Sequence, residues 1–169
     1  GDAGSRFTVA GFPSVHLQLI GLHQVGNALA ALAVARELKL DPAAVVAALA
    51  AQRPLKGRME IRHAGGATLL VDYYNANPDS MRAALSTLAG WPRAQRRIAV
   101  LSDMRELGGT AARLHREVGE AVRDAELWVV GEHAADYAAG GARAGVEVRS
   151  FPDKAAVAAA LREQLLPGT

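Results

Sequence analysis

Residues 72–81, which read Asp-Tyr-Tyr-Asn-Ala-Asn-Pro-Asp-Ser-Met, place a carboxylate, two amides and two tyrosines directly after an apolar run. An apolar strand that ends in such groups is typical of a ligand site at the carboxyl end of an open α/β sheet. The side chains of Asp72, Asn75 and Asn77 would then emerge together at the carboxyl end of the strand. An ordinary strand-turn-helix junction, with Asn77 as cap and Pro78 in the first turn, is the alternative. That alternative leaves Asp72, Asn75 and both tyrosines unexplained.

Three more polar residues could belong to the same site. His23 and Asn27 lie four residues apart at the start of a predicted helix, where they share a face and the dipole favours polar or anionic ligands. Arg58 begins a predicted β-hairpin that ends at Asp72. Amides suit a base edge, a carboxylate suits ribose hydroxyls and an arginine suits phosphate. The set indicates part of a nucleotide site, although His23 and Asn27 could instead satisfy local backbone groups.

The composition narrows the class of protein. The chain has 169 residues, 50% of them hydrophobic and 21% charged, which fits one ordinary domain or one domain plus a fragment. A net charge of +2 without any basic block does not indicate nucleic-acid binding. The absence of cysteine excludes disulfides, thiolate metal sites and cysteine nucleophiles. The apolar runs are too short to span a bilayer.

The elements that must position these groups alternate between strands and helices. The first 54 residues predict a two-stranded ribbon and two apolar helices, the second of which starts with Asp41 as cap and Pro42. The later predicted elements are a hairpin over 58–73, strands at 97–101, 126–130 and 146–151, and helices at 78–89, 110–124, 133–144 (interrupted by Gly140 and Gly141) and 153–165. This alternation predicts an α/β fold with a Rossmann-like open, mostly parallel sheet and flanking helices. No strand is followed by a glycine fingerprint for a dinucleotide.

Five runs of the sequence closely resemble the Mur ligases of peptidoglycan synthesis: 21–31, 56–60, 72–81, 102–108 and 114–119. The Tyr-Asn-Ala-Asn-Pro and Asp-Met-x-Glu-Leu-Gly runs are most similar to the branch that joins D-alanyl-D-alanine to the UDP-N-acetylmuramoyl tripeptide. The second choice is the sister branch that adds a different amino acid. It is less favoured because the run at 75–77 is not the pattern of that branch.

The resemblance implies that the chain is the carboxy-terminal part of a three-domain, cytoplasmic bacterial enzyme. Residues 1–54 would end the central ATP-binding domain, and 55–169 would form a Rossmann-like ligase domain that continues beyond this chain. Implied cofactors are ATP and Mg²⁺, with the P-loop lysine, the modified lysine and the magnesium ligands outside this chain. Implied partners are the UDP-muramoyl tripeptide, D-alanyl-D-alanine and the rest of the ligase chain, with no nucleic acid and no membrane span.

The resemblance also implies roles for individual residues. The residues implied to bind ATP are His23, Gln24, Asn27, Arg58 and Asp72. In that set the residues from the first helix would meet the adenine, Asp72 the ribose and Arg58 the phosphates. The residues implied on the dipeptide side are Tyr74, Asn75, Asn77, Asp103 and Glu106. Arg58 and His115 would be helpers, and no residue of this chain would bind the metal.

Two positions depart from the family pattern, which usually has asparagine where Gln24 stands and a small hydroxyl residue where Tyr73 stands. For Glu106 and His115 the alternative reading is that they are ordinary solvated residues on a loop and a helix face.

Two other classes of function also fit the residues. One is a stand-alone nucleotide- or ligand-binding module without catalysis, and the other is a Rossmann-like interaction domain whose polar cluster is structural. Under the ligase reading, ATP would phosphorylate the tripeptide carboxylate and the dipeptide amine would attack the acyl phosphate. We expect this chain alone to be inactive.

Overall fold

The computed structural model of the chain describes residues 4–165. The ends of the two predicted domains, at 1–3 and 166–169, lie outside these residues. Strands β1 (Ser5–Phe7) and β2 (Val15–Leu17) pair antiparallel, which confirms the predicted ribbon. In β2, Val15 and Leu17 are buried while His16 is exposed, so the alternation seen in the sequence is the alternation of the two faces.

Two helices follow the ribbon: α1 (Leu22–Glu37) and α2 (Pro42–Ala50). The Asp41 carboxylate caps α2 by accepting from the N–H groups of Ala43 and Ala44 at 3.3 and 3.0 Å, as predicted. Large apolar side chains of α1 stay exposed, with Leu22 at 84% and Val34 at 60% of full exposure. The described residues therefore leave an apolar surface of α1 uncovered.

The hairpin consists of β3 (Glu60–Ala64) and β4 (Ala67–Val71). Its two-residue turn is formed by Gly65 and Gly66, which both have positive φ (54° and 79°), as a type I′ turn requires. Within residues 4–165 these two strands form a sheet of their own. The expectation that residue 72 follows a strand of the main α/β sheet is therefore wrong: it follows the second strand of a separate hairpin.

The main sheet has three parallel strands in the order β5 (Ile98–Leu101), β6 (Glu126–Val130) and β7 (Val148–Phe151). The remaining elements are helices α3 (Pro78–Ala89), α4 (Ala111–Glu120), α5 (Ala134–Ala144) and α6 (Lys154–Leu165), with a 3₁₀ turn at Gly108–Thr110 before α4. Parallel strands that alternate with helices confirm the predicted α/β class.

The central strand β6 is buried on both faces, as expected for a parallel sheet covered on each side. Leu127 and Val129 join a core cluster with residues of α3, α4 and α5. Trp128 and Val130 point the other way and pack with Val157 and other residues of α6. The continuous apolar run of β6 therefore packs against two different helical layers, one on each face of the sheet.

Several predicted elements differ in extent or continuity from the structure. The helix predicted over 110–124 begins after the 3₁₀ turn and ends at Glu120. The strand predicted over 146–151 starts only at Val148. The interruption predicted at Gly140 and Gly141 is wrong, because α5 runs through both glycines and they lie against α4 and β7. No helix within the described residues is both long and apolar enough to cross a membrane.

Candidate functional site

The two ends of the hairpin are fastened together at Gly57. Its carbonyl accepts hydrogen bonds from the N–H groups of Tyr73 (3.0 Å) and Tyr74 (3.1 Å), and its own N–H donates to the Glu60 carboxylate at 3.3 Å. Gly57 is buried with φ at 71°, and a Cβ there would lie 3.0 Å from the Tyr73 ring. A side chain at this position would therefore be strained by the left-handed backbone conformation and would require the exposed Tyr73 ring to shift.

This closure places Asp72 and Arg58 at the same end of the hairpin, as the sequence predicts. Asp72 Oδ1 accepts a hydrogen bond of 3.2 Å from the N–H of Met59, a buried residue with φ at 48°. Within residues 4–165, Asp72 Oδ2 has no hydrogen-bond partner. The carboxylate is thus held by one oxygen while the other faces solvent and can accept from a hydroxyl group.

The guanidinium of Arg58 lies over the ring of Tyr74, with 4.1 Å from Cζ to the ring centroid. Both side chains are exposed. A stacked guanidinium keeps its N–H groups at the edge of its plane, where they can bind an anion in a bidentate manner. The pair gives a pre-oriented cation at the end of the hairpin where Asp72 also lies.

The two asparagines of the run serve the backbone. Asn77 caps α3: its Oδ1 accepts from the N–H of Ser80 at 2.9 Å, while Ser80 Oγ accepts from the Asn77 N–H at 3.1 Å. This capping box accounts for Asn77 as the junction alternative requires. Asn75 is exposed and its Oδ1 accepts from the N–H of Ala76 at 3.0 Å.

On α1, Asn27 is exposed and its Nδ2 donates to Gln24 Oε1 at 3.2 Å. The ring of His23 lies against Gly21, where a Cβ would come within 2.5 Å of it. His23 Nδ1 is buried and has no hydrogen-bond partner among the described residues. Across residues 4–165, no hydrogen bond or ion pair joins this group on α1 to Asp72 or Arg58. The structure thus shows two separate groups of predicted nucleotide-site residues.

Asp103 binds backbone, and the sequence did not indicate its partners. Its two carboxylate oxygens accept from the N–H groups of Glu132 (3.0 Å) and His133 (2.9 Å), at the turn between β6 and α5. Gly131 in this turn has φ at 120°, and a Cβ there would lie 2.4 Å from the Asp103 carboxylate. Asp103 is therefore a clamp between two loops that follow neighbouring strands.

His115 is fully buried, so the reading of it as a solvated residue is wrong. Its ring stacks on His133 with centroids 4.2 Å apart and meets the edge of Tyr137 at 4.8 Å. By contrast, Glu106 is exposed and has φ at 62°. His133 and Tyr137 are residues that sequence reasoning missed, and only their position after β6, beside the end of β5, could have indicated them.

A neighbouring carboxylate, that of Asp136, contacts both His133 and Arg116. His133 Nδ1 lies 3.0 Å from Asp136 Oδ2, and Arg116 Nη2 lies 3.4 Å from Asp136 Oδ1. The hydrogen bond from His133, followed by that from Arg116, holds the pKa of Asp136 below its ordinary value of 3.8. Burial, with a smaller contribution from the Asp103 charge, raises the pKa of Tyr137, which keeps this phenol protonated.

The described residues contain no group of three or more histidine, aspartate or glutamate side chains that could hold a metal ion. A cleft of about 490 Å³ lies between the segment after β2 and the hairpin, with Gln18, Lys56 and Arg62 among its lining residues. None of the predicted site residues lines this cleft.

Comparison with known proteins gives one consistent family. Residues 57–169 match the family described as "Mur ligase, glutamate ligase domain". The UDP-N-acetylmuramoyl-tripeptide--D-alanyl-D-alanine ligase of Synechocystis sp. is 38% identical, over 92% of this chain and 35% of its own length. The ligase of the same name from Mycobacterium tuberculosis (strain CDC 1551 / Oshkosh) is 40% identical, over 98% of this chain and 38% of its own length.

Solved structures give the same result. MurF from Acinetobacter baumannii superimposes with a TM-score of 0.80 at 28% identity, and the match covers 90% of this chain and 33% of that chain. MurF from Thermotoga maritima in complex with ADP shares the fold, with a TM-score of 0.73 at 21% identity over 95% of this chain and 39% of that chain. This chain spans a little over a third of the length of the two curated relatives described above. The resemblance seen in the sequence is confirmed, and the chain belongs to the Mur ligase family.

Proposed function

We propose that this chain is the carboxy-terminal part of an ATP-dependent, ADP-forming amide ligase that adds D-alanyl-D-alanine to the UDP-N-acetylmuramoyl tripeptide. The observation that carries the proposal is the match, over 92% and 98% of this chain, to curated ligases whose names state these substrates. In this proposal residues 1–54 end the central ATP-binding domain and 55–169 belong to the carboxy-terminal ligase domain. The enzyme would work in the bacterial cytoplasm, where its nucleotide-linked substrate is made.

The nucleotide is proposed to lie between α1 and the closed end of the hairpin. His23, Gln24 and Asn27 would meet the base, and the exposed amide of Asn27 can both donate to a base edge and accept from it. The free oxygen of Asp72 would accept from the ribose, and Arg58 would bind phosphate. The ADP bound in Thermotoga maritima MurF supports the choice of an adenine nucleotide.

In the proposed reaction the γ-phosphoryl group passes from ATP to the tripeptide carboxylate, which gives an acyl phosphate and ADP. The amine of D-alanyl-D-alanine then attacks the acyl carbon, the C–N bond forms, the C–O bond to phosphate breaks and the amine loses a proton. Arg58 would offset negative charge on the phosphates during the first step. Mg²⁺ would be held by residues of the rest of the ligase, as the resemblance to the Mur ligases implies.

Release of ADP tests the proposal directly. The complete polypeptide that contains this chain should release ADP only when the UDP-muramoyl tripeptide and D-alanyl-D-alanine are both present. This chain alone should release none, because the P-loop lysine and the magnesium ligands that the resemblance implies lie outside it. If the complete polypeptide releases ADP equally fast with and without the dipeptide, that result would falsify the ligase proposal. Dipeptide-dependent release from this chain alone would contradict the proposed division into parts.

A nucleotide-binding module without catalysis is the second candidate, favoured by the free Asp72 oxygen and the stacked Arg58. Asp72→Ala in the complete polypeptide should raise the Kd for a non-hydrolysable ATP analogue about tenfold, the effect of losing one charge-assisted hydrogen bond. Calorimetry with Asp79→Ala as the matched control measures this, since Asp79 is an exposed carboxylate of α3 that pairs only with Arg82 within the described residues. Equal Kd values for the two variants would favour the interaction-domain reading instead.

A further inference from the structure

The tautomer of the buried His115 ring is fixed by its two hydrogen bonds. Nδ1 lies 2.7 Å from the carbonyl oxygen of Ala111, and a carbonyl can only accept, so Nδ1 carries the proton. Nε2 lies 2.9 Å from the backbone nitrogen of Met104, and a backbone N–H can only donate, so Nε2 carries the lone pair. The ring is therefore a neutral imidazole that joins α4 to the segment after β5.

That bond is one of four hydrogen bonds that hold three consecutive residues, which we call the 102–104 anchor. The Tyr137 hydroxyl donates to the carbonyl of Ser102 at 3.1 Å. The Asp103 carboxylate accepts from two N–H groups of the turn between β6 and α5. His115 accepts from the N–H of Met104, whose side chain is buried in the core. Each residue of the anchor is thus held by a different partner.

The packing around the ring prevents the imidazole from turning over. His133 stacks on it at 4.2 Å and Tyr137 meets it edge-on at 4.8 Å. A flip about the Cβ–Cγ bond would also put Cε1 in the place of Nε2 and Cδ2 in the place of Nδ1, so the hydrogen bonds to Met104 and Ala111 would both be lost. Packing and hydrogen bonding therefore specify the same ring orientation.

Beyond the anchor, a short exposed stretch presents Arg105 and Glu106. It ends at Leu107, whose carbonyl accepts from both the N–H and the hydroxyl of Thr110 at 3.2 and 2.7 Å. Glu106 has left-handed backbone conformation and, among residues 4–165, no hydrogen-bond or ion-pair partner for its carboxylate. A carboxylate on a stretch fixed at both ends is suited to meet a cationic or amine group from a ligand.

We propose that His115 is a positioning residue: by holding Met104 it sets the 102–107 segment so that Glu106 faces the amine end of the D-alanyl-D-alanine substrate. This inference rests on the proposed ligase function. His115 itself touches no substrate, since its ring is fully enclosed and both nitrogens are engaged. Its effect is therefore expected on recognition of the dipeptide and not on recognition of ATP.

Two amide substitutions separate the two hydrogen bonds of the ring. In His115→Gln the side-chain oxygen can reach the place of Nε2 and accept from Met104. In His115→Asn the shorter amide can replace only Nδ1 and donate to Ala111. Both variants lose the aromatic stacking, so a difference between them reports on the Met104 bond. His63→Asn serves as the surface control, because His63 is exposed on β3 and hydrogen-bonds only to Thr68 within the described residues.

The measurement is steady-state KM for D-alanyl-D-alanine and for ATP in the complete ligase. We expect His115→Asn to raise the dipeptide KM about tenfold with the ATP KM within about twofold, and His115→Gln to restore most of that loss. His63→Asn should match the wild type. Equal effects of the Asn and Gln variants, no rise in the dipeptide KM, or equal rises for both substrates would overturn the inference.

The wild-type ligase gives a second measurement that does not depend on whether a variant folds. Amide hydrogen exchange in residues 102–107 should slow about tenfold when D-alanyl-D-alanine joins the ATP analogue and the tripeptide, because a segment that faces the dipeptide becomes enclosed. Unchanged exchange there would overturn the inference. A wild-type enzyme that shows no dipeptide-dependent ADP release refutes the proposed function itself, so the two failures are told apart.

Discussion

At the scale of single residues, Glu126 links an exposed cation to a buried ring. Arg96 Nη2 donates to its carboxylate at 2.9 Å, and the indole N–H of the fully buried Trp128 donates to it at 3.2 Å. The hydrogen bond from Arg96 is the main reason why the pKa of Glu126 is lowered from its ordinary value of 4.5. The ionised form of this side chain therefore stabilises the folded state.

The sign of this linkage predicts how stability depends on pH. Because the folded pKa is the lower one, the contribution is complete above about pH 4.5 and disappears as the pH falls through the folded value. Glu126→Gln should lower the free energy of unfolding at pH 7 by about 1 kcal/mol, and the difference from wild type should vanish in acid.

Urea denaturation at several pH values between about 3 and 7 measures this difference. Glu37→Gln is the control, since Glu37 is exposed at the end of α1 and forms no ion pair within residues 4–165. A difference for Glu126→Gln that persists unchanged in acid would contradict the assignment of the effect to the carboxylate charge.

The sequence located Asp72 and Arg58 because both flank one hairpin, and a hairpin is a local feature whose ends meet. It could not assign the contacts of Asp103, whose partners Glu132 and His133 lie on the neighbouring strand-helix turn. Nor could it show that His115 is buried. Both facts depend on which strand lies beside β5, and a single sequence carries no direct signal of that order.

At the scale of elements, α4 and α5 touch backbone to backbone. A Cβ added to Gly140 would lie 2.0 Å from the carbonyl oxygen of Arg116, and one added to Gly119 would lie 2.3 Å from the carbonyl oxygen of Tyr137. Neither carbonyl can move without displacing its helix. Two glycines that face each other thus set the distance between these helices, as small residues do wherever backbones approach closely.

Gly140→Ala should therefore destabilise the fold by roughly 2–4 kcal/mol, because the helices must separate to admit the methyl group. Gly26→Ala is the matched control: Gly26 is also a helical glycine, but a Cβ there would meet nothing within 4 Å. That variant should be neutral or stabilising by up to about 1 kcal/mol. Thermal and urea unfolding of both variants measure the contrast, and equal effects would show that the close approach is not what constrains Gly140.

The same contact explains why local reasoning placed a break in α5. Gly140 and Gly141 have low intrinsic helix propensity, and the free-energy cost of a glycine inside a helix can be inferred from the sequence alone. The compensating contact with α4 is not visible, because it belongs to the tertiary structure. The caps Asp41 and Asn77, in contrast, were predicted correctly, since a cap acts on N–H groups two or three residues away.

At the scale of the whole molecule, the described chain contains three separate sheets, and the stretch 51–59 between α2 and β3 has no helix or strand. Its first six residues are largely exposed. If residues 1–54 and 55–169 belong to different domains, as proposed, few contacts should protect this connection. Backbone without secondary structure is the preferred site of proteolytic cleavage.

Limited digestion with subtilisin, a protease of broad specificity, should therefore cut this chain first within residues 51–56. The exposed stretch 105–109 is the internal comparison, because it is equally accessible but begins at the 102–104 anchor. Intact-mass analysis of the earliest fragments identifies the cut. A first cut within 102–109 would contradict both the proposed boundary and the stiffness expected of the anchored segment.

The closure of the hairpin at Gly57 has a mechanical consequence. Tyr73, Tyr74 and Glu60 all form hydrogen bonds with this one residue, so the hairpin carries Arg58 and Asp72 as parts of a single stiff arm. Any pivot between this arm and α2 has to lie before Gly57, in residues 51–56. Under the proposed function, Arg58 and Asp72 would swing away together with their mutual distance unchanged. One rotation of the hairpin would then break the contacts to phosphate and ribose at the same time, while the contacts between α1 and the base remain.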